Sequence, residues 1–234
     1  MAVLHVEGLR FQRSGVAAAD AAFAIEVDEL KLEPGQVLGI VGPSGCGKST
    51  LIDLLALLRQ PTRLRRFELQ GQDVAALWQR RAVDACTSLR AVHTGVVLQT
   101  GGLLPSLPLR ENVLLSQRLL GLVDGPWADT LLAALELGTL GQRLPSQLSI
   151  GQRQRVAIAR ALAHRPALVL ADEPTASLGI EHAPAALDLL LSLARSSGAA
   201  IVIVSHDVEL LRAKGVPLRR CAVHGDTVRL EAAS

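Results

Sequence analysis

Nine residues, Gly42-Pro43-Ser44-Gly45-Cys46-Gly47-Lys48-Ser49-Thr50, constrain this chain more than any other stretch, because they fill every fixed position of the pattern G-x-x-x-x-G-K-[ST]. Gln36–Val41 reads as a buried strand running into them, and Leu51-Ile52-Asp53-Leu54-Leu55 as a helix running out, to about Leu58. In that setting the glycines let backbone N–H groups turn inward around phosphate oxygens, and the new helix offers its positive end to the same anion. Lys48 supplies a cation for the outer phosphates, and the Ser49 hydroxyl suits Mg²⁺. Cys46 occupies a free position of the pattern, where a small filler serves. A Gly-rich turn with no ligand is the plain alternative, and the complete pattern in this context argues against it.

A chain of 234 residues suits one α/β domain with a modest insertion. Hydrophobic residues make up 49% and aromatics only 2%, so the core must be aliphatic. The formal charge of +2 is too balanced to argue for nucleic acid. Cys46, Cys86 and Cys221 are far apart with no C-x-x-C pair, which suggests neither a disulfide framework nor a zinc site and fits a reducing compartment. The N-terminus has no basic region followed by an apolar core, and the apolar runs are too short to span a bilayer. The expectation is a cytoplasmic protein whose membrane role, if any, needs a partner.

Alternation predicts half-buried strands at Val3–Phe11 and Phe23–Leu32. A short strand and turn follow at Phe67–Gly71, and one helix over Val74–Arg90. Val96-Val97-Leu98 reads as a buried strand delivering Gln99 to its end. Leu109 to about Leu140 is helical in two pieces separated by Gly121–Pro126. Further helices are expected at Gly151–His164 and Pro184–Arg195, with buried strands at Ala167–Ala171 and Ala200–Val204. A C-terminal hairpin spans Arg220–Val223 and Thr227–Leu230. Strands alternating with helices argue for a mostly parallel sheet covered on both faces.

A phosphate loop needs a metal partner, and the apolar strand ending in Ala171-Asp172-Glu173 offers one. Asp172 can face Mg²⁺, and Glu173 can polarise an attacking water; alone, the pair would read as a solvated loop start. His206 stands at the end of the next buried strand, on the sheet edge where ligands bind, and can reach the γ-phosphate or cap the following turn. Gln99 can ligate Mg²⁺, hold water, or be an ordinary polar loop residue. Ser149, before Ile150-Gly151-Gln152, is a good helix N-cap, and the helix after it presents free N–H groups to an anion. A second anion site within one monomer is puzzling unless two copies face each other and share a nucleotide.

Together these residues resemble the ATP-binding-cassette ATPases over nearly the whole chain. Gly42–Thr50 matches Walker A, Gln99 the Q-loop, Leu148–Gln152 the LSGGQ signature, Leu168–Glu173 Walker B with its catalytic glutamate, Glu173–Leu178 the approach to the D-loop, and His206 the switch histidine. Phe11 falls where the family stacks an aromatic ring on adenine. The segment Leu103–Val113 resembles that of the lipoprotein-release and macrolide-export group. The resemblance implies one nucleotide-binding domain over residues 1–234, with a P-loop core, an N-terminal antiparallel β-subdomain and a helical subdomain at about 100–160. It implies binding and hydrolysis of ATP with Mg²⁺, Lys48, Gln99, Glu173 and His206 acting catalytically and Ser49, Gln99 and Asp172 at the metal. The nucleotide would be held by Phe11, by Gly42 through Thr50, by Gln99, and by Ser149, Gly151 and Gln152. It further implies a second, identical ATPase subunit and an integral membrane permease, placing the chain on the inner face of the membrane.

Three positions depart from the family. Ile150 stands where the signature has a second glycine, Gly179 where the D-loop has Asp, and Phe11 where Tyr is commoner. The first two motivate an alternative role, an ATP-driven switch in a membrane signalling or secretion-control complex such as type VI secretion regulation. A soluble cassette acting on DNA or ribosomes lacks support, because the chain shows one cassette and no coiled coil or zinc insertion.

Overall fold

A computed structural model describes residues 1–13, 23–122 and 126–232. Ten strands form one mixed sheet among these residues. They are β1 (Leu4–Arg13), β2 (Phe23–Leu32), β3 (Val37–Val41), β4 (Arg66–Leu69), β5 (Gln72–Asp73), β6 (Thr94–Val97), β7 (Leu168–Asp172), β8 (Ala200–Ser205), β9 (Leu218–His224) and β10 (Thr227–Ala232). Their order is β5-β4-β1-β2-β10-β9-β3-β8-β7-β6.

Strands β3, β8, β7 and β6 run parallel. Burial on both faces of the central strands follows from their composition. In β8, Ala200, Val202 and Val204 enter one core while Ile201 and Ile203 enter the other; in β7, Leu168 and Leu170 oppose Val169 and Ala171. Such strands read as continuous apolar runs because neither face meets water. The antiparallel wing pairs β1 with both β2 and β4. It is therefore not built from the N-terminal segment alone: β4 and β5 return to it, through a turn in which Gln70 and Gly71 both take positive φ.

On the face of the first core lie α1 (Lys48–Leu55), α2 (Val74–Gln79) and α3 (Val83–His93). The single helix predicted over Val74–Arg90 is two helices, broken where Arg81 takes φ 55°. Its Val83 is 58% exposed, so the apolar spacing that suggested continuity does not mark one buried face. On the other face lie α4 (Leu109–Leu119), α5 (Pro126–Ala134), α6 (Ile150–Leu162), α7 (Ala183–Ser197) and α8 (Val208–Ala213). Of the predicted break at Gly121–Pro126, residues 123–125 lie outside the described residues.

Helix α6 is buried on nearly all sides, with Val156 to Ala159, Ala161 and Leu162 inside. It rests on β6 at Gly95, where an added Cβ would fall 2.1 Å from the Ala161 carbonyl oxygen, so only glycine permits this approach. Its C-terminal carbonyls are satisfied by side chains: Gln117 Nε2 donates to Ala163 (2.6 Å) and Trp127 Nε1 to Leu162 (3.0 Å). Arg165 stacks over the same Trp127 ring, 5.0 Å from its centroid.

Candidate functional site

The phosphate loop joins β3 to α1 with Gly45 at φ 79° and Gly47 at φ 95°, the latter capping α1. The conformation itself favours glycine, and a Cβ at 47 would fall 2.2 Å from Phe23 Cζ and displace that ring. Lys48 is 7% exposed and donates from Nζ to the carbonyls of Gly42 (2.9 Å) and Pro43 (3.1 Å). Its ammonium also lies 3.8 Å from Glu173 Oε1.

Asp172 ends β7 beside the loop, with Ser49 close to its carboxylate. Burial pushes the Asp172 carboxyl above the ordinary carboxylate range, and the neighbouring Ser49 hydroxyl partly opposes this. Its Oδ1 is buried without a hydrogen-bond partner. A hydroxyl and a carboxylate with one orphaned oxygen form a hard-oxygen donor set, which fits Mg²⁺.

Glu173 is the most constrained of the site residues. Its backbone takes φ 46°, a left-handed conformation that costs a non-glycine residue about 1–3 kcal/mol. Its N–H donates to the Val204 carbonyl (2.9 Å), tying it to the neighbouring strand. The carboxylate is largely buried and lies between two cations or potential cations, with Oε2 3.0 Å from His206 Nδ1 and Oε1 facing Lys48. The His206 N–H also donates to Oε2 (3.3 Å). His206 itself is mostly exposed, so its ring is accessible from outside.

Gln99 lies in an exposed turn two residues beyond β6; the strand ends at Val97, and Leu98 has already left it. The irregular segment that follows is held by two residues to which sequence reasoning gave no role. Asn112 is fully buried and clamps the segment, accepting from the Leu104 N–H (2.8 Å) and donating to the Leu104 and Leu107 carbonyls. Arg160, on α6, donates to the carbonyls of Gly101 (2.8 Å) and Gly102 (2.7 Å). The loop after Gln99 is therefore tied to the helical layer.

Phe11 is half-buried in β1, packed on the first core opposite Ile25. Phe23, at the start of the partner strand, touches Gly47 and was not singled out from sequence.

Ser149 caps α6 as expected. Its Oγ accepts from the Gln152 N–H (3.2 Å), and Gln152 Oε1 accepts from the Ser149 N–H (2.9 Å), a reciprocal capping box. Gly151 approaches Leu178, where an added Cβ would fall 3.8 Å from Cδ2. Ser149, Ile150 and Gly151 line a cleft with Leu178, Gly179 and His182, and none of the phosphate-loop residues borders it. The structure thus brings Lys48, Ser49, Asp172, Glu173 and His206 together and keeps Ser149, Gly151 and Gln152 apart from them. Ile150 is 52% exposed on that second wall.

Comparison with known proteins places this geometry. The model of the ABC transporter family matches residues 25–176. The lipoprotein-releasing system ATP-binding protein LolD 1 of Rhodospirillum rubrum is 40% identical over 187 residues, covering 79% of this chain and 80% of that protein. The macrolide export ATP-binding/permease protein MacB of Marinobacter nauticus is 38% identical over 187 residues, covering 79% of this chain but 28% of that protein. Among solved structures, the dimeric post-hydrolysis ATP-binding cassette MJ0796 bound to ADP and Pi superposes with a TM-score of 0.75 at 30% identity, covering 98% of each chain.

Proposed function

This chain belongs to the ABC transporter ATPase family, and from that premise we propose that it closes as a symmetric dimer around ATP and Mg²⁺ to drive a separate integral membrane permease of an export or lipoprotein-handling type. The observation that carries the dimer is the separation of the two walls: the phosphate loop with Glu173 and His206 on one, and the Ser149 cap with Gly151 on the other. A nucleotide bound at the first wall is completed only by the second wall of another copy. Residues 1–234 are taken as one cassette, peripheral on the inner face of the membrane; among the described residues no helix is long and apolar enough to cross a bilayer.

In this reading the loop from Gly42 to Thr50 cradles the phosphates, Phe11 stacks on the base, and Lys48 turns from its carbonyl partners to the outer phosphates. Ser49, Asp172 and Gln99 hold Mg²⁺, which supplies neutralisation of developing charge when bound. Glu173 orients water, and His206, already on its carboxylate, senses the γ-phosphate. Ser149, Gly151 and Gln152 meet the phosphates across the dimer. Exposed Ile150 and the missing Asp at Gly179 favour, as a second reading, a switch in a signalling or secretion-control complex.

The test is Glu173→Gln with ATP, followed by light scattering and turnover. An ATP-dependent dimer with hydrolysis abolished is expected; undiminished turnover would sink the assignment. Recovery of an integral membrane permease from detergent-solubilised membranes separates transport from the switch reading.

A further inference from the structure

We propose that Cys46 and Cys221 form a peroxide-oxidisable thiol pair that closes a disulfide beneath the phosphate loop and withdraws the loop from nucleotide binding. The proposal rests on the reading that Gly42–Thr50 holds the nucleotide.

The two cysteines are 175 positions apart in the chain and are brought together by sheet register. Strand β9 pairs in parallel with β3 up to Val41 opposite Arg220, so the next step sets Gly42 against Cys221. The loop then turns back and lays Cys46 over the same glycine. A Cβ built on Gly42 would fall 2.9 Å from Cys46 Sγ and 3.0 Å from Cys221 Cβ. The volume a side chain at 42 would fill is therefore the space between the two cysteines, and glycine leaves it open. Both residues are buried, at 5% and 3% exposure. A disulfide needs Cβ atoms about 3.5–4.5 Å apart, so closing the bond draws the Cys46 turn of the loop across the open space at Gly42 towards β9.

The two sulfurs are not equivalent. The neighbouring Cys221 thiol and the Lys48 charge favour the Cys46 thiolate, while the neighbouring Cys46 and burial hold Cys221 protonated. Cys46 also sits on a loop whose Pro43, Ser44 and Gly45 are exposed, which gives a small hydroperoxide a path that bulky reagents lack. The Cys46 thiolate attacks a peroxide oxygen, the O–O bond breaks, and with one proton taken up the products are a sulfenic acid and water. The Cys221 sulfur then attacks the Cys46 sulfur, the S–O bond breaks, and the hydroxyl leaves as water with the Cys221 proton. Two thiols and one hydrogen peroxide become one disulfide and two waters. Cys46 stands between Gly45 and Gly47, the residues whose backbone must turn inward, so anchoring it to β9 removes the freedom to wrap a phosphate.

The experiment treats the full chain with hydrogen peroxide, quenches with catalase, and reads intact mass, disulfide-linked peptides and binding of a fluorescent ATP analogue. A loss of about 2 Da, a Cys46–Cys221 linked peptide and affinity weakened at least about tenfold are expected, all reversed by dithiothreitol. Cys221→Ser, with Cys221→Ala as a second choice should the first fold poorly, is expected to bind the analogue like the parent when reduced and to show no such mass loss after peroxide. Cys86, buried on α3, is expected to stay a thiol. No linked peptide, a link through Cys86, or a cross-linked protein of unchanged affinity each overturns the proposal. A reduced protein that binds no nucleotide overturns the reading of the loop and the regulatory half with it, while the cross-link is judged by mass alone.

Discussion

The two walls that carry the site differ in how much of their geometry is self-supplied. On the phosphate-loop wall Lys48 and Glu173 are buried and already partnered, Lys48 on loop carbonyls and Glu173 between Lys48 and His206, with Asp172 half-buried beside them. On the signature wall the cap is closed upon itself through Ser149 and Gln152, and Ile150 beside it faces outward at 52% exposure. The first wall is an assembled site. The second is a surface, and an exposed isoleucine on it carries meaning when something covers it.

The contrast predicts unequal responses to substitution. Lys48→Ala removes a buried cation beside the loop, and turnover should fall by about 10²–10³-fold, measured by phosphate release; a smaller loss would say that this wall is less committed than its geometry indicates. Asn112→Ala leaves the Leu104 and Leu107 backbone groups without their buried partner, at a cost of about 1–3 kcal/mol in chemical denaturation. Ser149→Ala should cost about 1 kcal/mol of stability by loss of the N-cap and lower turnover, while binding of ATP to the monomer is retained; loss of monomer binding would join the two walls within one chain. Ile150→Gly is expected to raise turnover about threefold, a barrier change of ~0.7 kcal/mol, and no gain would show that the second wall tolerates the branched side chain.

The smallest expected effect lies away from both walls. Burial holds the His164 pKa below its ordinary value of 6.5. Between the two values the unfolded chain binds more protons than the folded one, so this stability is present above about 6.5 and is lost as pH falls towards the folded value. Urea midpoints measured from pH 7 to 5 should fall, and less steeply in His164→Gln.

Elements whose signal is local were legible. The strand, loop and helix start around Gly42–Thr50, the cap at Ser149, and the apolar runs of β7 and β8 each depend on residues a few positions apart and lie where the pattern placed them, while α1 stops at Leu55, short of the expected Leu58, because Leu57 takes φ 58°. Boundaries drifted where apolar spacing continued past a backbone break, as at Arg81, or where a strand ended sooner than its hydrophobicity, as at Leu98. Asn112, Arg160 and Phe23 were not assigned because their partners lie on other elements, out of reach of any local pattern.

By itself, then, the sequence determined a phosphate loop, a buried strand ending in Asp172-Glu173, and a capped helix opening with an unusual isoleucine, because backbone conformation and capping are settled by near neighbours. Only the tertiary structure decided that Glu173 rests on His206 and Lys48, that the signature faces a different cleft, and that Cys221 lies against Cys46. Those juxtapositions follow from strand order and register in the ten-stranded sheet, which pairs segments distant in the chain and is set by the packing of two cores rather than by any one stretch of residues.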